Sequence, residues 1–183
     1  MRRPERARRL EERVFTLPNA LSLARLFMVP IVVALLLAHV DGLAAALFVL
    51  AAVTDFLDGK LARRSGPTRL GRILDPVADR LMLSSVAVVL ALRGLLPAWA
   101  VAILVGRDLA TLVGGVLVGT KIRVNRVGKA ATAVLMGAIA LVVLLPGTVA
   151  GRVLFYAGFG LSVVAGIMYL RRVRRILGGG DGR

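Results

Sequence analysis

The chain has 183 residues, 58% of them hydrophobic, and a formal net charge of +15. That much apolar surface exceeds what one soluble core of this size can hide, and it falls in runs long enough to cross a bilayer, roughly 20 residues each. With no cysteine and a single histidine, His39, the sequence excludes disulfides, thiolate or His-based zinc centres and a Ser-His-Asp triad.

Residues 1–17 carry six Arg against three Glu, with Leu10, Val14 and Leu17 at helical spacing. This pattern predicts a short amphipathic helix lying on a membrane surface. Six spans follow, at about 20–38, 43–58, 74–92, 97–118, 128–145 and 152–170. The first opens with LPNALSLAR and carries Arg25 near its start. The second ends on Asp55 and Asp58, and the third begins with Asp75 and Asp79. The fourth holds Arg107 and Asp108, with Gly106, Gly114, Gly115 and Gly119 allowing close helix contact.

The connecting segments divide by charge. Those at 39–42, 93–97 and 146–152 contain only Arg93 and Arg152 as cations. The 59–73 loop holds Lys60, Arg63, Arg64, Arg69 and Arg72, and the 119–129 loop holds Lys121, Arg123, Arg126 and Lys129. Arg171, Arg172, Arg174 and Arg175 follow the last span. By the positive-inside rule, both termini and these two loops face the cytoplasm. In a soluble protein such a charge would suggest nucleic acid. Here the cations flank apolar runs and no aromatic residue interleaves them, so anionic headgroups are the expected partners and nucleic acid is not. The expected fold is all-α: a polytopic integral membrane protein of six transmembrane helices after a short amphipathic N-terminal helix. Its organisation is a basic interfacial segment (1–17), a six-helix membrane domain (18–176) and a flexible tail (177–183).

Carboxylates near a bilayer are costly, so four of them in DFLDGKLARRSGPTRLGRILDPVADR, residues 55–80, call for a chemical reason. Asp55 and Asp58 are three apart and Asp75 and Asp79 four apart, so each pair shares a helix face. A short loop brings the two helix ends together. Salt bridges to Arg63, Arg72 or Arg80 would relieve the repulsion in part. Divalent cations relieve it better, and four hard oxygen donors suit Mg²⁺ or Mn²⁺, with room for two ions of the kind used in phosphoryl chemistry.

At these residues the pattern resembles the signature of the CDP-alcohol phosphatidyltransferase family: Asp55-x-x-Asp58-Gly59-x-x-Ala62-Arg63, then Gly71-x-x-x-Asp75-x-x-x-Asp79. The family usually has eight residues between the arginine and the second glycine, and this chain has seven. The resemblance implies transfer of a phosphatidyl group from CDP-diacylglycerol to an alcohol, with release of CMP. It implies Asp55, Asp58 and Asp75 as metal ligands and Asp79 as a ligand or the base. Asp58, Gly59, Ala62, Arg63 and Gly71 would then bind the CDP donor. A bacterial-type inner (plasma) membrane location, a cytoplasmic active site and a homodimer are also implied.

The acceptor is read from elsewhere in the chain. Lys121, Arg123, Arg126 and Lys129 form a cationic rim suited to a phosphate-bearing acceptor. Arg25 and Arg107 are further acceptor-binding candidates, set against snorkelling and helix bracing respectively. Gly128-Lys129-x-x-Thr132 resembles phosphatidylglycerophosphate synthases, although Leu135 stands where many of those have Gln, and some cardiolipin synthases read similarly. Glycerol 3-phosphate is the expected acceptor, ahead of phosphatidylglycerol, with inositol phosphate third. Two readings outside the family are an intramembrane prenyltransferase and a cation transporter.

Overall fold

The computed structural model describes residues 17–65, 71–118 and 126–178, by the backbone alone at 17–19, 55–65, 71–76, 115–118, 126, 173 and 175–178. Among the described residues there are six helices and no strand: α1 Leu17–Leu37, α2 Asp41–Ser65, α3 Gly71–Leu92, α4 Ala98–Val118, α5 Arg126–Leu144 and α6 Val149–Gly178. The predicted amphipathic helix at 1–16 and the tail from 179 lie outside the described residues.

Local chemistry sets several of the helix ends. At the end of α1, His39 N–H donates to Leu36 and Val40 N–H to Leu35 (2.9 Å), with His39 at φ 59°. These two bonds form a Schellman cap, so the lone histidine of the chain serves as a left-handed cap residue where glycine is the usual choice. Gly94 (φ 73°) closes α3 by the same pattern, Leu95 N–H reaching Leu90. Asp41 in the first turn of α2 meets the positive end of that helix. The carbonyl of Pro97 receives the N–H groups of Ala100 and Val101 and so starts α4.

The chain divides into two units, residues 1–86 and 87–183. In the first, α1 packs along α2. Val32 and Leu36 of α1 and Ala44, Ala45, Phe48 and Ala51 of α2 are buried, the alanines allowing close backbone approach. Ala78, Met82, Leu83 and Val86 add the buried face of α3. In the second unit α5 packs along α6, and α4 also touches α6. Leu135, Ile139 and Phe155 are fully enclosed there. Gly158 of α6 faces Leu135 so closely that a Cβ would stand 3.0 Å from Leu135 Cγ. The Tyr169 hydroxyl donates to the Thr111 carbonyl at 3.4 Å and covers Gly114, so this glycine of the fourth span is used for packing. Trp99 meets Phe159 edge-on, with ring centroids 5.5 Å apart.

Among the described residues three stretches are long and apolar enough to cross a membrane, Ala20–Leu37, Val127–Leu144 and Val149–Arg172, and α2 carries a shorter one, Asp41–Thr54. Large apolar side chains also face outward, among them Phe27 at 67% exposure and Leu92 at 78%. A water-soluble surface does not carry so many contiguous apolar groups, and a lipid-facing one does.

One boundary differs from the sequence expectation in a way that bears on the site. Of the loop expected at 59–73, residues 59–65 belong to α2, which continues to Ser65, and residues 71–73 to α3, which begins at Gly71. Lys60, Leu61, Ala62, Arg63 and Arg64 are all good helix formers and carry α2 past Gly59. The last helix likewise runs beyond the expected end near 170, to Gly178.

Candidate functional site

The longer α2 puts the whole first half of the motif on one helix. Asp55, Asp58, Gly59 and Ala62 fall at i, i+3, i+4 and i+7, one continuous face, with Arg63 one position further round. The two residues on that face beside the acids are the smallest side chains available. Such a stripe carries little side-chain bulk of its own beside the acids. The second half of the motif is equally regular: Gly71, Asp75 and Asp79 fall at i, i+4 and i+8 on α3. The face continues through Met82, Leu83 and Val86, all buried.

Asp79 is the member of the quartet whose side chain is described, and it is already engaged. Arg25 Nη1 donates to Asp79 Oδ1 at 2.5 Å, a charge-assisted contact between α1 and α3. The two partners are unequally enclosed: the Arg25 side chain is 4% exposed and that of Asp79 27%. The burial of Arg25 follows from its register. Ser22, Arg25, Val32 and Leu36 repeat at helical spacing along α1, and all four are buried. Sequence reasoning offered snorkelling or acceptor contact for Arg25 and missed this pairing. The signal was present in the shared face with Val32 and Leu36, where a snorkelling residue would not be placed.

Among the described residues no three His, Cys, Asp or Glu side chains gather into a metal-binding group, the side chains of Asp55, Asp58 and Asp75 lying outside that description. The donor set fits a hard divalent cation. It offers carboxylate oxygens alone, in two pairs that each share a helix face, on a chain without cysteine.

The expected acceptor residues fall elsewhere. Arg107 lies on α4, where Nη1 donates to the neighbouring Asp108 at 2.8 Å. Its side chain threads between α5 and α6 past two glycines: a Cβ on Gly166 would lie 3.2 Å from Arg107 Cγ, and one on Gly128 3.8 Å from Nη2. Its aliphatic stem also lines an open apolar recess of about 150 Å³ with Ile103, Ser162 and Ile167. Lys129 is exposed near the start of α5. Lys121 and Arg123 lie outside the described residues.

Comparison with known proteins agrees with the motif. The CDP-alcohol phosphatidyltransferase family model matches residues 15–164. A protein of Streptomyces coelicolor named "Cardiolipin synthase (CMP-forming)" is 40% identical, the match covering 91% of this chain and 86% of the relative. A protein of Mycobacterium tuberculosis named "Probable phosphatidylglycerophosphate synthase" is 36% identical over the same shares of the two chains. The "CDP-diacylglycerol--glycerol-3-phosphate 3-phosphatidyltransferase" of Bacillus subtilis is 35% identical over 65% of this chain and 72% of its own.

Proposed function

Because the chain belongs to the CDP-alcohol phosphatidyltransferase family, we propose that it moves a phosphatidyl group from CDP-diacylglycerol to a phosphate-bearing glycerol alcohol and releases CMP. The observation that carries this reading is the pair of helix faces: two acids with two small residues on α2, and two acids below a glycine on α3.

Members of this family generally depend on a divalent metal. Asp55, Asp58, Asp75 and Asp79 would hold Mg²⁺ or Mn²⁺, two ions in all. When bound, such ions neutralise charge on the transferring and leaving oxygens. The chain's own residues do the rest. Gly59 and Ala62 leave space along α2 for the cytidine, Asp58 and Gly71 border it, and Arg63 meets donor phosphate oxygens through its planar fork. The acceptor hydroxyl oxygen bonds to the phosphorus that carries the diacylglycerol. The bond from that phosphorus to the CMP oxygen breaks, and the hydroxyl proton passes to the Asp79 carboxylate. A site at the ends of α2 and α3 lets a lipid-tailed donor stay in the bilayer while its nucleotide head reaches water. The same reading has six membrane spans in a bacterial-type plasma membrane, both termini and the site on the cytoplasmic side, and a homodimer as the assembly.

For the acceptor, the cationic residues Arg107, Lys121, Arg123 and Lys129 support an alcohol that bears phosphate, and relatives named for glycerol 3-phosphate or for phosphatidylglycerophosphate keep glycerol 3-phosphate in view. The relative at 40% identity is named a cardiolipin synthase, and this favours phosphatidylglycerol as the alcohol. Purified protein in lipid nanodiscs, offered CDP-diacylglycerol with glycerol 3-phosphate, phosphatidylglycerol or inositol phosphate in turn, decides between them. Cardiolipin formed with stoichiometric CMP supports phosphatidylglycerol, and phosphatidylglycerophosphate supports the smaller acceptor. Turnover of a prenyl diphosphate, or cation flux without CMP release, would overturn the transferase reading.

A further inference from the structure

We propose that Arg25 is the positioning residue for Asp79: a buried guanidinium on α1 that fixes one oxygen of this carboxylate and lowers the negative charge of the acidic quartet. The proposal rests on the reading of the four aspartates as the metal and proton-transfer site.

Three observations carry it. The contact is a direct one, Nη1 to Oδ1 at 2.5 Å, between residues 54 apart in sequence. Arg25 is 4% exposed, so it does not reach headgroups as a snorkelling arginine does, nor does it present its donors to a waiting ligand. Its place on the buried face of α1 with Ser22, Val32 and Leu36 fixes where the guanidinium sits by helix register. A long flexible side chain has no such constraint on the surface.

The electrostatic consequence is specific. Four carboxylates carry four negative charges, and two divalent ions would balance them fully. A diphosphate donor then adds negative charge to the same place. Arg25 supplies one resident positive charge that does not depart with product. The contact at Oδ1 restricts rotation of the carboxylate plane and so orients the group. Orientation and charge are separable by substitution. Arg25→Gln removes both the charge and the fork, whereas Arg25→Lys keeps the charge and loses the fork.

The test uses the full chain in nanodiscs, with Mn²⁺ alone as the probe, followed by electron paramagnetic resonance of the free ion. Initial rates with varied glycerol 3-phosphate and varied phosphatidylglycerol complete it. R25Q should bind Mn²⁺ roughly three- to tenfold more tightly, as expected for removing one nearby positive charge, while kcat falls at least about tenfold. The acceptor KM should stay within about twofold of the wild-type value. R25K should bind Mn²⁺ as the wild type does and still lose kcat; it also serves if R25Q folds poorly. Unchanged Mn²⁺ affinity in R25Q with a raised acceptor KM would make Arg25 an acceptor ligand. Unchanged affinity with unchanged kinetics would reduce it to a brace between helices. Either result overturns the proposal. Wild-type protein that binds no Mn²⁺ would instead remove the metal reading of the aspartates, a failure seen before any variant is made.

Discussion

Gly158→Ala should destabilise the second unit, whereas the same change two residues along the helix, at Gly160, should not. Both residues lie on α6, so both alanines gain the same helix propensity, about 0.5–1 kcal/mol over glycine. They differ in what the new methyl meets. At Gly158 it would stand 3.0 Å from Leu135 Cγ, 3.1 Å from Leu135 Cδ2 and 3.1 Å from the Leu135 backbone nitrogen. The leucine side chain could rotate away only into an enclosed space, since Leu135 is 2% exposed, and the backbone nitrogen cannot rotate at all. Helix α5 must therefore move outward by a few tenths of an ångström, an overpacking cost of about 1–3 kcal/mol. At Gly160 nothing lies within 4 Å. Subtracting the propensity gain leaves G158A about 0–2.5 kcal/mol less stable than wild type, and G160A about 0.5–1 kcal/mol more stable. Thermal or SDS-induced unfolding of the purified protein in micelles measures both, and a Leu135→Ala background should shrink the gap by removing the obstructing atoms. Equal stability of the two glycine variants would refute the packing of α5 on α6 as described.

Further outcomes concern the site. Asp79→Asn should abolish CMP release while donor binding, followed by equilibrium dialysis of labelled CDP-diacylglycerol in micelles, stays largely intact; near-normal turnover would remove Asp79 from the mechanism. Chelation by EDTA should stop the reaction, and Mg²⁺ or Mn²⁺ should restore it, read as CMP formed per minute. Asp79→Ala should lower stability more than Arg25→Met does. The first takes a carboxylate from a guanidinium that is 4% exposed, whereas the second takes a guanidinium from a carboxylate that is 27% exposed and within reach of water. Breaking a buried pair by removing one partner costs about 3–5 kcal/mol when the survivor is fully enclosed, and a smaller penalty is expected for R25M. Thermal unfolding of both variants, with the double variant to complete the cycle, checks the order.

The helices were readable from the chain because apolar runs interrupted by Arg-rich segments have few alternative folds in a bilayer. The positions of α1, α3, α4 and α5 follow the expected spans to within a few residues. The end of α2 differs from the expected span because charge does not by itself end a helix. Lys60, Arg63 and Arg64 are both charged and helix-favouring, and a helix can leave the apolar layer without ending. The aspartate motif was apparent from its spacing alone. The partner of Asp79 was not, because the contact joins residues 54 apart in sequence and depends on how α1 is turned about its own axis. The role of His39 escaped notice for a related reason: a cap is defined by backbone angles, and histidine is an unusual residue for a left-handed position.

Unequal helix lengths in the second unit have a mechanical consequence. The apolar part of α5 spans 18 residues and that of α6 spans 24, about 27 Å and 36 Å along their axes. Their packed faces nevertheless run side by side. A hydrocarbon layer of about 30 Å matches the first and is too thin for the second. With both helices across such a layer, tilt of α6 or extension of its terminal guanidiniums toward the phosphates would absorb the difference. Thinner and thicker bilayers would load the α5–α6 seam in opposite directions, and the close approaches of Gly151 to Val142 and of Gly158 to Leu135 would feel that load.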